Sequence, residues 1–192
     1  MLHKGKLKKI KGDASPRTFY RKDFNKKKSI LVFSKKDKKR NLLIYDSVNQ
    51  ILIKNNILAP RLYSENYNSN YIEIEDFGEK TLFKILKNTS GNKKWIFKEI
   101  IFLLKKIQNI KITKIKNFKN LDYKIPIYTN RLLFDEANIF CKWYVPNIIK
   151  KDRILSFNKK MRKEIRFLLS NIMQKNNIFV HRDFHVSNLL KY

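Results

Sequence analysis

The sequence predicts an α+β fold in which a strand-rich segment, residues 1–78, precedes a helix-rich segment, residues 79–192. Short apolar and aromatic runs bounded by polar turns, which are typical of strands, are concentrated before Gly78. Apolar residues spaced three and four apart, which are typical of amphipathic helices, dominate after it. The chain has 192 residues, 43% of them hydrophobic, and is therefore long enough to bury a core.

The first segment is predicted to hold two strand pairs around one helix. The first pair is a hairpin, because the polar run at 25–28 separates two apolar stretches. The second pair brackets the polar residues 65–70 and ends at an acidic turn closed by Gly78. The predicted elements are strands at 18–22 and 29–34, a helix at 41–54, and strands at 61–64 and 71–75.

The second segment is predicted to be helical up to a polar tail. The run at 95–108 has the clearest apolar face, and a lysine-rich loop at 110–121 follows it. Thr129 or Asn130 is suited to cap the next helix, and Pro146 follows its end. The predicted helices lie at 81–87, 95–108 and 131–144, with a last helix capped by Ser156 and running to Gln174.

The formal net charge of +28 suggests a polyanion such as nucleic acid as a partner. The lysines, however, are spread along the chain, and no arginine-rich arm or aromatic-basic RNA motif is present. Isoleucine, asparagine and lysine are over-used throughout, as AT-rich codons produce. We therefore favour compositional drift, and expect only a nonspecific attraction to nucleic acid.

Composition also bears on location. No apolar run reaches the roughly 18 residues of a membrane span, and the first residues lack the apolar core of a signal peptide. The single cysteine, Cys141, excludes an internal disulfide framework and fits a reducing compartment. We expect a cytoplasmic protein without membrane insertion.

Side chains suited to catalysis or metal binding are concentrated in residues 178–190. There a polar stretch lies between two apolar runs that are predicted to be short strands. Asp183 and Asn188 have the spacing at which a kinase catalytic loop supplies a catalytic carboxylate and a magnesium ligand. A surface turn is the plain alternative, since Asp, Asn and Ser are common turn residues. A zinc site made by His181, Asp183 and His185 is a weaker alternative, because no Cys or fourth ligand lies nearby.

Two motifs carry a resemblance to a known family. The run His-Arg-Asp-Phe-His-x-x-Asn-Leu-Leu over 181–190 resembles the catalytic loop of the aminoglycoside phosphotransferase-like kinases, relatives of protein kinases. The run Gly-Asp-Ala-Ser-x-Arg-x-x-x-Arg over 12–21 resembles the opening signature of one subgroup. These bacterial amino-sugar kinases phosphorylate the anomeric hydroxyl of N-acetylmuramate and N-acetylglucosamine. Pro16 and Thr18 replace an aromatic and a basic residue common in that signature.

The resemblance implies a protein kinase-like bilobal fold, with a β-rich N-lobe at 1–78 and an incomplete helical C-lobe at 79–192. It implies ATP and Mg²⁺ as cofactors and a small-molecule hydroxyl as acceptor. By the same resemblance, Asp183 orients the acceptor hydroxyl or accepts its proton, and Asn188 ligates magnesium. His181 and Arg182 brace the loop.

The nucleotide and sugar sites follow from the same resemblance. Ser15 and Arg17 are expected at the phosphates, and Glu75 and Asp76 at the hinge whose backbone holds adenine; an ordinary strand end is the alternative at the hinge. The helix acid expected at the sugar hydroxyls is Glu136 or its neighbour Asp135, and a solvated acid is the alternative there. A protein kinase carries a phosphate-pairing lysine on its third strand, and none lies inside the strand at 29–34.

The resemblance stops just after the catalytic loop, because the chain ends at Tyr192. The family continues through a second metal-binding Asp and further C-lobe helices, so the sequence reads as C-terminally truncated and its own activity as uncertain. Two other functions therefore stay open. One is a catalytically dead, kinase-like nucleotide-binding protein, and the other is a basic nucleic-acid-binding protein.

Overall fold

The computed structural model describes residues 6–10, 17–25, 27–112, 114–172 and 178–191. The chain divides into two compact units, Met1–Ile125 with His181–Tyr192, and Pro126–Val180. The two compact units do not divide at Gly78. The lobe boundary predicted there was drawn on the expected roles of the two segments, and it stays a prediction. Among the described residues, no helix combines the length and the apolar character needed to cross a membrane.

The first unit is built on a five-stranded antiparallel sheet with the strand order β1-β2-β3-β5-β4. Its strands are β1 (Lys6–Ile10), β2 (Arg17–Phe24), β3 (Lys27–Ser34), β4 (Leu62–Asn66) and β5 (Tyr71–Glu75). The helix α1 (Arg40–Lys54) lies between β3 and β4 in sequence. The strand pairs and the helix predicted for this segment are thus confirmed, while β1 was not predicted.

The core of this unit lies between the sheet and α1. Ile30 and Val32 of β3 pack with Leu42 of α1 and with Ile72 and Ile74 of β5, and all five are buried. Burying each such side chain stabilises the fold by about 1.5–3 kcal/mol. Because side chains alternate along a strand, the face of β2 that carries Phe19 against this core also carries Arg17 and Arg21.

Between Gly78 and Ile125, the first unit contains two helices and a small hairpin. The helices α2 (Leu82–Asn88) and α3 (Lys94–Gln108) match their predicted positions closely. The predicted loop at 110–121 differs, because the antiparallel strands β6 (Lys114–Lys116) and β7 (Asp122–Lys124) form a hairpin there. Strands of three residues are too short to show a recognisable apolar alternation, which is why the sequence did not reveal them.

In the part of the second unit that the structure describes, the regular elements are helices. They are α4 (Asn130–Ala137), a wider π-helical turn (Phe140–Tyr144), α5 (Val145–Ile148) and α6 (Lys151–Ser170). The Thr129 hydroxyl accepts a hydrogen bond from the Leu132 amide (3.4 Å) and caps α4, as predicted. The single helix predicted at 131–144 was wrong, since α4 ends at Ala137. Pro146 has no amide proton to donate to the Lys142 carbonyl, so the α-helical hydrogen-bond pattern is interrupted at this residue.

The prediction for the last helix was wrong at its start. The helix α6 begins at Lys151, so Ser156 lies inside it, and its hydroxyl donates to the Arg153 carbonyl (3.1 Å). Asp152 in the first turn favours this earlier start, because a carboxylate interacts well with the positive end of the helix dipole. The regular helix ends at Ser170, before the predicted Gln174, which lies outside the described residues.

Candidate functional site

The polar loop at the end of the chain gathers two of the predicted site residues. The Asn188 side-chain amide donates to the Asp183 carboxylate (2.6 Å to Oδ2) and to the Asp183 carbonyl (3.1 Å). His185 Nε2 lies 3.2 Å from the other carboxylate oxygen, Oδ1. The Asp183 side chain is 70% exposed, so the carboxylate is accessible to a ligand. The structure thus brings the Asp183 and Asn188 side chains into contact, and their roles stay predictions.

The loop is held by backbone bonds to the start of α2. The amides of Leu82 and Phe83, in the first turn of the helix, donate to the carbonyls of Leu189 (2.8 Å) and Val186 (3.0 Å). Helix-start amides have no partner within their own helix, so the loop satisfies them. The apolar runs beside the loop form no regular strands in the described residues, and Leu190 makes only a single bridge to Thr81.

His181 and Arg182 precede the carboxylate in a constrained segment. Burial lowers the pKa of His181, outweighing the attraction of Asp183, so the imidazole is neutral near pH 7. Its ring packs edge-on against Phe184, with centroids 6.0 Å apart. Arg182 has a φ of 67°, in the left-handed region that non-glycine residues rarely adopt. These features agree with a bracing role, which stays a prediction.

A magnesium ion would find suitable atoms at this loop. Carboxylate and amide oxygens are the ligands that Mg²⁺ prefers, and Asp183 and Asn188 carry one of each kind, although here the Asn188 amide nitrogen is the atom that contacts the Asp183 carboxylate. The zinc alternative finds no support, since the described part of the chain has no cluster of three or more His, Cys, Asp or Glu side chains able to hold a metal.

Arg17 lies on β2 with its guanidinium over two aromatic rings. The guanidinium carbon is 4.8 Å from the centroid of Tyr45, on α1, and 5.9 Å from that of Phe19. Burial lowers the pKa of Arg17, while the attractions of Tyr45 and Asp183 oppose that effect. Ser15, the other predicted phosphate contact, lies outside the described residues with the rest of the Gly-Asp-Ala-Ser motif.

The acidic turn predicted to be the hinge is clamped by Arg21. The guanidinium binds Asp76 through two bonds, Nε to Oδ2 (2.6 Å) and Nη2 to Oδ1 (2.9 Å). It also donates to Glu79 and to the Gly78 carbonyl (2.9 Å). Burial raises the pKa of Asp76, but the bonds from Arg21 and the Gly78 amide outweigh it and bring the pKa below its ordinary value. Both oxygens of the Asp76 carboxylate are therefore engaged by Arg21 within the protein.

The two other predicted side chains also have internal partners. Glu75 accepts a hydrogen bond from the Arg61 amide (3.3 Å). The resemblance assigns adenine binding at this turn to the backbone, and that role does not require the Glu75 side chain. Glu136 lies in the second compact unit and accepts a hydrogen bond from the Tyr128 hydroxyl. That bond orients the carboxylate, and its contact with a sugar stays a prediction.

Sequence reasoning missed three residues around this site. Arg21 stands in the quoted motif, but its partner is 55 residues away and no local signal identifies it. Tyr45 and Asp46 lie on the predicted helix, where an acid between apolar positions could have indicated a buried carboxylate. Asp46 is only 3% exposed and accepts from Gln50 Nε2 (2.7 Å) and the Phe118 amide (2.9 Å). It ties α1 to the β6–β7 hairpin.

We expect Asp46→Asn to remove one component of the pH dependence of stability. Burial raises the pKa of Asp46 above 3.8, outweighing its hydrogen bonds. A carboxyl whose pKa is raised by folding stabilises the protein at pH values below its unfolded-state pKa. This contribution is lost as the pH rises through its folded-state pKa. Wild-type stability, measured relative to Asp46→Asn by urea unfolding, should therefore fall from pH 4 to pH 7. A difference that stays constant or grows over this range would contradict the prediction.

The strands and helices form an α+β protein. Plasmodium vivax ethanolamine kinase has a similar solved structure, with a TM-score of 0.50 and 16% sequence identity over 86% of this chain and 46% of that one. This likeness supports the kinase-like fold predicted from the sequence.

Similarity to particular proteins is weaker. No family model matches the chain. The N-acetylmuramate/N-acetylglucosamine kinase of Pseudomonas putida is 20% identical over 187 residues, which are 97% of this chain and 52% of the relative. The protein of the same name from Neisseria meningitidis is 21% identical over 180 residues, 93% of this chain and 51% of the relative. The chain thus spans about half the length of the curated relatives it matches.

Proposed function

We propose that the chain carries the nucleotide-covering and catalytic-loop portions of an ATP-dependent small-molecule phosphotransferase. The pairing of the exposed Asp183 carboxylate with the Asn188 amide carries this proposal, because phosphoryl transfer needs a carboxylate beside a metal ligand. The likeness to a solved kinase and to two relatives named as amino-sugar kinases supports it. The cytoplasmic location expected from the sequence is part of the proposal.

The proposed acceptor is a cell-wall amino sugar, N-acetylmuramate or N-acetylglucosamine, phosphorylated at its anomeric hydroxyl. Asp183 accepts a hydrogen bond from that hydroxyl and aims the hydroxyl oxygen at the γ-phosphorus of ATP. It takes up the hydroxyl proton as the new O–P bond forms, while the bond from the γ-phosphorus to the β–γ bridging oxygen breaks and ADP leaves. Magnesium, when bound through Asn188, neutralises charge on the phosphates. His181 and Arg182 keep Asp183 in place, and Glu136 binds sugar hydroxyls.

The nucleotide is assigned to the first unit. Arg17 and Ser15 contact the phosphates, and the backbone of the Glu75–Gly78 turn receives adenine. The Asp76 side chain holds this turn through Arg21. Because a buried and paired carboxylate is a poor ligand, its role in nucleotide binding is indirect.

We expect the protein to form ADP and a sugar 1-phosphate from MgATP and either amino sugar. ³¹P NMR identifies the sugar 1-phosphate, and a coupled enzyme assay measures the ADP. The matched control is the methyl glycoside of N-acetylglucosamine, which keeps the sugar contacts but blocks the anomeric oxygen, so turnover should be lost. Equal ADP release with the methyl glycoside would contradict the proposed acceptor.

The two alternatives give other results in the same preparation. A nucleotide-binding protein without transfer activity would gain thermal stability from MgATP and release no ADP. A basic nucleic-acid-binding protein would bind DNA or RNA in a strongly salt-dependent way and gain nothing from MgATP. Because the net charge is +28, binding to DNA and RNA has to be measured alongside MgATP binding.

A further inference from the structure

The strand that carries the phosphate-pairing lysine in protein kinases has no lysine in its interior here. A protein kinase places a lysine on its third strand and holds it with a glutamate from the following helix. In this chain the lysines of β3, Lys27 and Lys28, are exposed at its start, and the following residues are largely buried and carry no charge. The buried acid of α1, Asp46, is bound to Gln50 and to the Phe118 amide instead.

Arg17 is a cation on the core side of the neighbouring strand β2, on the same face as Phe19 and Arg21. It pairs in register with Ser34, the last residue of β3, so it lies where that strand meets the path to α1. Its guanidinium is partly buried, stacks over Tyr45 of α1 and is attracted by Asp183. A partly desolvated guanidinium attracted by the proposed catalytic acid is well placed to meet a phosphate chain.

Tyr45 is the helix residue that holds this cation. The rings of Tyr45 and Phe19 have centroids 6.5 Å apart, and both lie within 6 Å of the guanidinium carbon. Asn49, one turn along α1, hydrogen-bonds the Tyr45 hydroxyl. Tyr45 also packs against the buried core that includes Leu42. The ring is therefore anchored at its base by packing and at its tip by a hydrogen bond.

We propose that Tyr45 is a positioning residue that presents Arg17 to the nucleotide phosphates by a cation–π contact. The proposal rests on the proposed function. Stacking engages the flat face of a guanidinium, whereas phosphates bind its N–H edge, so the two contacts are geometrically compatible.

Calorimetric titration of the whole chain with MgATP and with adenosine tests this assignment. Arg17→Gln should weaken MgATP binding at least tenfold and leave adenosine binding within twofold, because adenosine lacks phosphates. Tyr45→Leu should weaken MgATP binding about three- to tenfold, and Tyr45→Phe, which keeps the ring, less than twofold. Adding Tyr45→Leu to Arg17→Gln should cost nothing further, since the ring then has no cation to place.

Two controls separate positioning from general damage. Tyr20→Leu removes a partly buried ring on the opposite face of β2, next to Phe33, and should leave MgATP affinity within twofold. In the nucleotide-free protein, the Arg17 Nε–Hε NMR signal should show a ring-current shift that persists in Tyr45→Phe and disappears in Tyr45→Leu. This signal tests the stack without a nucleotide, and Tyr45→Phe provides the test if Tyr45→Leu does not fold.

The outcomes distinguish this proposal from the proposed function. Independent losses from Tyr45→Leu and Arg17→Gln that add in the double variant would overturn the positioning role, as would an equal loss of adenosine and MgATP binding in Tyr45→Leu. In both cases nucleotide binding itself would remain. A wild-type protein that binds no MgATP would overturn the proposed function, and the phosphate role of Arg17 with it.

Discussion

Asp183→Asn is expected to lower the rate of phosphoryl transfer by about 10²- to 10⁴-fold. The substitution keeps the size and one acceptor oxygen of the side chain but removes the negative charge and the proton acceptor. The carboxylate is largely exposed and makes its nearest contacts within its own loop, so the fold loses little. Steady-state turnover of N-acetylglucosamine with MgATP measures the effect, and thermal unfolding checks that the variant is folded.

The control for this experiment is His185→Gln. His185 touches the same carboxylate and lies 3.0 Å from the Asn188 amide nitrogen, yet has no assigned chemical step. We expect this variant to lose less than tenfold in rate, and both variants to bind MgATP within a few-fold of wild type. Near-normal turnover in Asp183→Asn would remove Asp183 from the mechanism.

Arg21→Met is expected to lower the free energy of unfolding by about 3 kcal/mol. The Asp76 side chain is 3% exposed and that of Arg21 13%, so removing the guanidinium leaves a buried carboxylate without its main partner. For a chain of this size the loss corresponds to a fall in melting temperature of about 6–12 °C. Urea unfolding at pH 7 provides the measurement.

A more exposed pair in the same sheet supplies the matched control. Lys22 contacts Glu73 at 3.0 Å, with 28% and 20% of the two side chains exposed. Because solvent screens this pair more, Lys22→Met should cost less than about 1 kcal/mol. Equal losses in the two variants would show that the Arg21 clamp is no stronger than an ordinary surface pair.

The same clamp has a pH signature. The pKa of Asp76 lies below 3.8 in the folded protein, so its stabilisation is present above pH 3.8 and is lost as the pH falls through the folded value. The stability difference between wild type and Arg21→Met should therefore shrink below about pH 4. A difference independent of pH would point to lost packing of the arginine stem.

Regular elements were predictable where a long apolar pattern dominates. The helix expected at 41–54 is observed as Arg40–Lys54, and the one expected at 95–108 as Lys94–Gln108. Each buries one face over several turns, which makes its period visible in the sequence. Where local bonding is interrupted, as before Pro146, or where strands have three residues, as in β6 and β7, no such period exists and the predictions were wrong.

The sequence by itself determined the α+β order of elements and the spacing of Asp183 and Asn188, because both depend on neighbours a few residues apart. Only the tertiary structure decided the partners of the charged groups. Arg21 meets Asp76 across 55 residues, and Asp46 meets the Phe118 amide across 72. The register of the sheet and the docking of α1 select such pairs, and a buried charge must take whichever partner the packed fold brings to it.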